Sequence, residues 1–400
     1  MKTEKLKKNK GITLTALVIT IVVLLILAGV TIATLTGDNG IIKKVNEVSE
    51  RTEKAKEEEL KKLIALEASS NLENQEYIDK NGDKAIIPAG YAVSQVDGEN
   101  IINDGLVIID SDENEFVWIP IDKATLNVKG TNKPIAKVTT KKNGTNNYQG
   151  VLYDFFKTEN DVISQEKINY GQGTTSYREP AYLINTNYGD AVTNDDTKGT
   201  ALLRKYIVEL RNETDDTILI AWENQLQNEY NSMIESVKKY GGFYVGRYEM
   251  GEKNNKPVSK AGIMPTSSGD EVTLTWYGLY AMAKKYNNNS VQASMIWGSQ
   301  YDSMLNWGLE GKDKLKIAET ENGNHSNIFV NTGMYSKDKI NNIYDLEGNF
   351  WEWTLEANTE NVRILRGGHY RGSFSPSDRN VNSPYTTYDN RTTRITLYVK

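Results

Sequence analysis

Few residues in this chain are suited by type to chemistry. Residues 344–353 read YDLEGNFWEW, which sets Glu352 between two of the seven tryptophans. The chain holds only two histidines, His325 and His369, and no cysteine. Without cysteine there are no disulfides, zinc–thiolate sites or thiol catalysis. Serines are plentiful, but no spacing selects a Ser–His–acid set. The glycines of residues 170–174 lack the strand–helix context and the lysine of a phosphate-binding loop. No catalytic residue is therefore assigned, and both histidines are expected in loops.

The elements that carry these residues differ sharply along the 400 positions. The first ten residues hold five lysines and one glutamate, so the remaining 390 sum to −10 within a net charge of −6. An acidic body argues against a nucleic-acid partner. Residues 12–36 lack any charge, and at about 1.5 Å per residue they reach ~37 Å. They are expected as a transmembrane helix with the lysines on the cytoplasmic side. Residues 37–70 then show apolar positions at helical spacing among oppositely charged neighbours, an amphipathic stalk helix. Residues 71–84 are expected as a linker, and residues 85–400 as one body.

Within the body, AIIPAGYAVS, GLVIID, EFVWIPID and GGFYVGRYEM read as strands, and RITLYVK as a closing strand. Residues 123–150 are polar and expected as long loops. Residues 217–240, 275–286 and 293–309 are expected as helices. The class expected is α+β.

Two resemblances follow. KGITLTALVIT resembles the N-terminus of type IV prepilins. That implies processing at Gly11–Ile12 by a prepilin peptidase, methylation of Ile12 and other pilins as partners. The family's glutamate at the fifth mature position is here Ala16. The body, over residues 115–400, resembles the formylglycine-generating-enzyme (sulfatase-modifying factor) superfamily, a branch of the C-type-lectin fold. FVWIP, GGFYVGRYE, SMIWGSQYDSMLNW, YDLEGNFWEW and RILRGG occur in the family's order. The fold class expected is thus an α+β C-type-lectin domain preceded by a long transmembrane, pilin-like α-helix.

The second resemblance carries a test of its own. The family's enzymes use two copper-holding cysteines just after RGG, and the matching positions fall near Gly372 and Ser377. Neither supplies a thiolate, so the chain is expected not to be an enzyme. Iron chemistry, known in some relatives, would need a histidine–carboxylate cluster that two scattered histidines do not offer. The resemblance also implies a structural Ca²⁺ held by the side chains of Asp345 and Glu352 and the carbonyls of Gly348 and Phe350. Such hard oxygen ligands suit that ion; the alternative is a metal-free turn packed by Trp351 and Trp353. No other cofactor is expected.

Residues 369–390 read HYRGSFSPSDRNVNSPYTTYDN, and 13 of the 22 are Asn, Asp, Ser, Tyr or His. Such a mix suits recognition. It also resembles the variable proteins of diversity-generating retroelements, whose mutated codons yield these residue types. The ligand-contacting residues expected are His369, Tyr370, Arg371, Ser373, Phe374, Ser375, Asp378, Asn380, Asn382, Tyr385, Tyr388, Asp389 and Asn390. The expected function is a membrane-anchored binder whose extracytoplasmic domain meets a surface protein or glycan at the cell surface. The alternative is a minor pilin or pseudopilin capping a filament.

Overall fold

The computed structural model describes residues 41–121, 218–265, 275–310, 323–337, 339–359, 362–372, 375–384, 386 and 388–400. It also describes Leu24 and the strand residues 134–142, 145–153, 168–169 and 175–176. The chain divides into two units, residues 1–60 and 61–400.

In the first unit the described residues are Leu24 and the start of α1 (Ile41–Ser70). Fourteen of the thirty residues of α1 are charged. Taking such groups into hydrocarbon is costly, so this helix belongs in water. Among the described residues, no helix is long and apolar enough to cross a membrane. The expected fold class and the expected membrane anchoring are corrected accordingly. The stretch on which both rested, residues 12–36, lies outside the described residues, as do Gly11 and Ile12.

The second unit is rich in sheet. Eighteen strands and five helices occur among the described residues of the chain. The end of α1 buries Ile64, Ala65 and Ala68. Residues 71–84, expected as a linker, contain β1 (Gln75–Ile78), which forms a hairpin with β2 (Lys84–Ile87). After β3 (Tyr91–Val93) and the short α2 (Ile102–Gly105) come β4 (Val107–Asp110) and β5 (Glu115–Pro120).

Residues 123–150, expected as loops, contribute the paired β6 (Pro134–Lys142) and β7 (Thr145–Tyr153), followed by β8 (Ile168–Asn169) and β9 (Thr175–Ser176). Next are α3 (Ile218–Tyr240), β10 (Gly242–Gly246) and the hairpin of β11 (Gly251–Lys253) with β12 (Lys256–Val258). Then come α4 (Trp276–Lys284), β13 (Val291–Met295) and α5 (Gly298–Glu310).

The main sheet has six strands in the order β13-β18-β10-β5-β4-β3, with β18 (Ile395–Val399) closing the chain. Its neighbours run antiparallel. β5, β10 and β18 are buried almost throughout, because helices cover the sheet. α3 packs on β10 and β18, and α4 on β13. Trp118 and Tyr244 meet edge to face at 4.9 Å across the β5–β10 pair. Glu229 of α3 and Lys284 of α4 pair at 2.7 Å, both nearly sealed from solvent.

A second sheet has the order β16-β15-β14-β17. Its strands are β14 (Trp351–Thr359), β15 (Val362–Arg366), β16 (Asn380–Asn382) and β17 (Arg391–Thr393). This smaller sheet positions the candidate site.

Candidate functional site

The turn before β14 holds both ends of residues 369–390. Asn349 accepts the Tyr370 N–H at 2.9 Å, and Trp351 donates its backbone N–H to the Asn390 carbonyl at 2.9 Å. The turn has a strained-looking path that its residues allow. Asp345, Gly348 and Asn349 all take positive φ, a region Gly, Asn and Asp enter at least cost. A Cβ on Gly348 would stand 2.4 Å from the Asn324 carbonyl oxygen, so only glycine fits there.

The side chain of Asn349 extends the clamp. Its Oδ1 accepts from Asn324 Nδ2 and the Val330 N–H, and its Nδ2 donates to Glu249 at 2.6 Å. Glu249 also accepts the Phe350 N–H at 2.9 Å. Residues 324–330 are thereby drawn beside the 369–390 segment, and the Asn327 N–H bonds to the Tyr370 carbonyl at 3.0 Å. Phe329 meets the Tyr370 ring at 5.9 Å, while Ile328 is 67% exposed. Sequence reading missed this loop. Its one signal was Ile328-Phe329-Val330, a short apolar run inside a polar stretch.

Beneath the segment lies a buried network of four charged side chains. Arg379 donates through Nε to Glu356 at 2.7 Å and through Nη2 to Asp302 at 2.6 Å. Arg366 donates to the same Asp302 oxygen at 3.1 Å and to Glu356 at 3.4 Å. Its guanidinium also covers the Tyr301 ring at 4.4 Å. Asp302 comes from α5, Glu356 from β14 and Arg366 from β15. The network therefore fixes Arg379, and with it β16, to three other elements.

The expected contact residues separate into two groups. Arg371, Asn380, Tyr388 and Asp389 are exposed, and His369, Asp378, Asn382 and Asn390 are half-buried. Tyr370 and Ser375 are buried and hold the loop: Ser375 Oγ pairs with Ser377 Oγ at 2.8 Å, and its N–H bonds to Asp378 Oδ2 at 3.0 Å. Ser373, Phe374 and Tyr385 lie outside the described residues.

Two contacts set the electrostatics of this face. Arg391 is stacked, its guanidinium 4.0 Å from the Tyr388 ring and 5.1 Å from the Trp353 ring. Burial pulls its pKa down to about 10, so the cation persists at neutral pH. His369 rests on Trp351 at 5.8 Å, and its Nδ1 accepts the Arg371 N–H at 3.2 Å. An accepting Nδ1 places the proton of the neutral ring on Nε2. Burial first, then Arg371, His325 and Arg391, hold the pKa of His369 below its ordinary value.

The residues expected to hold Ca²⁺ form part of another buried cluster. Asp345, Glu352 and Glu249 surround Arg394, whose guanidinium bonds to Glu352, to the Tyr344 carbonyl at 2.9 Å and to the Asp345 carbonyl at 3.3 Å. Asp345 Oδ2 accepts the Gly333 N–H at 2.8 Å. The backbone N–H of Phe350 serves Glu249, and that of Gly348 serves the Gly367 carbonyl. Burial pushes the carboxyl of Asp345 up to about 7 and raises those of Glu249 and Glu352. Among the described residues no group of three or more His, Cys, Asp and Glu is arranged to hold a metal ion.

The chain matches no family model and no curated protein. One solved structure to which it is similar is Treponema denticola variable protein 1. The likeness covers 72% of this chain and 96% of that one, at 12% identity and a TM-score of 0.21. A score that low does not equate the two folds.

Proposed function

We propose that this chain is a binding protein and that residues 369–390, with the neighbouring residues 324–330, form its ligand face. One observation supports this reading above others. Exposed aromatic, amide and charged side chains stand on a segment whose backbone is locked from below by the buried Arg379–Asp302–Glu356–Arg366 network. A rigid floor under adaptable polar contacts lowers the ordering cost of binding. Ile328 and Phe329 add apolar area at the edge of the same face.

The ligand class is a protein or glycan presented to this surface, and binding rather than catalysis is its role. Enrichment in Asn, Asp, Ser, Tyr and His favours a face open to diversification, since the exposed Asn380, Tyr388 and Asp389 are of those types and can exchange without disturbing the buried arginines.

The test is a screen of the full chain against protein and glycan arrays, repeated with Asn380→Ala/Tyr388→Ala. A saturable ligand lost in the double variant is expected. A screen without a selective ligand, or a ligand indifferent to that variant, overturns the reading.

A further inference from the structure

Far along the sequence from residues 369–390, the β11–β12 hairpin and the end of α4 border a cleft of about 970 Å³. Four lysines line it: Lys253, Lys256, Lys260 and Lys285. None of the four forms an ion pair among the described residues. Other lysines of the same unit do: Lys61 with Glu115, Lys238 with Glu235 and Lys284 with Glu229. The contrast is sharpest at adjacent positions, where Lys284 is buried against its glutamate and Lys285 is exposed at the cleft.

The hairpin geometry makes the arrangement costly for the free protein. Asn254 and Asn255 both have positive φ, at 56° and 59°. That is the tight two-residue turn which sets its flanking residues face to face. Lys253 and Lys256 are in direct register. Like charges opposed across a strand pair destabilise it. With the net charge at −6, this cleft concentrates positive charge against the trend of the molecule. The lining also takes in Asp110 and Asp112, so cations outnumber carboxylates there by four to two. The Asp110 carboxylate already accepts from Asn114 and Tyr286. An excess of one sign in a cleft focuses the field and draws in ligands of the other sign.

We infer that this cleft binds an acidic oligosaccharide. The lysines supply the attraction for carboxylate or sulfate groups. Asp112 and Asn289 also line the cleft; Asp112 offers acceptors suited to sugar hydroxyl donors, and Asn289 offers both donors and an acceptor. A nucleic-acid strand brings phosphates to the lysines but few hydroxyl donors for Asp112, whereas a sugar brings both. The site is independent of the 369–390 face.

The experiment titrates the full chain by calorimetry with a heparin hexasaccharide, a polygalacturonate hexamer, an uncharged cello-hexaose and a single-stranded DNA hexamer. Saturable binding of at least one acidic sugar is expected, weakened ~10-fold or more by Lys253→Ala/Lys256→Ala and by raising salt from 50 to 500 mM. The pair Lys80→Ala/Lys337→Ala, away from the cleft, should leave it unchanged. Circular dichroism confirms that each variant is folded. The sulfated and carboxylated probes distinguish the source of the anionic group. No binding of either acidic sugar, equal binding by the cleft variant, or DNA binding as tight as the sugars overturns the inference.

Discussion

Arg379 Nη2 stands 2.6 Å from Asp302 Oδ1, with both side chains sealed from solvent. The bond joins the segment that carries the candidate ligand face to a helix 77 positions earlier in the chain. Asp302 also serves Arg366, so its loss leaves two buried guanidinium groups with Glu356 as their one shared carboxylate. Removing one partner of a buried pair costs about 3–5 kcal/mol. Asp302→Ala should therefore lower stability by that order in denaturant unfolding. Arg379→Ala leaves Arg366 facing both Asp302 and Glu356, the mirror-image imbalance, and should also destabilise measurably. Equal, near-zero costs would show that the network does not hold the floor.

Tyr388 lies over Arg391, and Arg391 in turn over Trp353. The tyrosine is half exposed, while Arg391 is nearly covered. Truncating the tyrosine removes contact area on the face and little from the core. Tyr388→Ala should reduce affinity for any ligand of this face by ~10-fold or more, in the range of an aromatic anchor. Its unfolding free energy should change by under about 1 kcal/mol. Arg391→Ala should affect both, because it removes the support of Tyr388 and a packed group beside Trp353.

The parts of this fold legible in sequence were those whose local pattern agrees with their final packing. EFVWIP and GGFYVGRYEM read as strands because their apolar residues do face the core, as β5 and β10. Residues 217–240 read as a helix for the same reason, and α3 spans Ile218–Tyr240. The first part of residues 293–309 misled: Ala293 to Met295 pair with β18, and helix α5 starts only at Gly298. That pairing comes from the far end of the chain, which no local pattern contains. RITLYVK reads as a closing strand, but its place between β13 and β10 is not contained in its local pattern.

The buried arginines were equally hidden. Arg363, Arg366 and Arg394 are sealed from solvent, although arginine ordinarily marks a surface. What makes burial tolerable is a carboxylate or aromatic ring supplied from elsewhere: Asp302 and Glu356 for Arg366, Glu352 for Arg394, the Trp276 ring for Arg363. Residues 369–390 were legible as a polar surface from composition alone, but not the split between exposed contacts and the buried Tyr370 and Ser375.

Arg394 bears on the calcium expectation. Its guanidinium bonds to Glu352 and to two carbonyls of the turn, at residues 344 and 345. A cationic side chain thus already neutralises the carboxylate that would face a metal. Excess Ca²⁺ and EDTA should give unfolding midpoints within about 1 °C of each other, since a ligand stabilises only in proportion to its binding of the folded state. A rise of several degrees with Ca²⁺ would mean that the ion binds the folded chain. Arg394→Met, by contrast, should destabilise by about 3–5 kcal/mol, leaving Glu352 buried without its counter-charge.

His369 gives the site a pH dependence of definite sign. Its folded pKa lies below the ordinary value of 6.5 because burial and the neighbouring Arg371, His325 and Arg391 oppose a positive ring. Below pH 6.5 the unfolded chain therefore binds more protons at this position than the folded one, and stability falls as pH falls through the folded pKa. Protonation also abolishes the Nδ1 acceptor that holds the Arg371 N–H and faces Asn390. Between pH 7 and pH 5 the His369 contribution lowers stability, while the raised carboxyl of Asp345 contributes in the opposite sense over the same range. His369→Gln should therefore gain more stability, or lose less, on acidification than the parent chain. The imidazole resonances of His369, followed by NMR, should titrate below 6.5 and shift those of Arg371 and Asn390 with them. Titration at or above 6.5, or an unchanged slope in the variant, would show that the ring is not held neutral against Trp351.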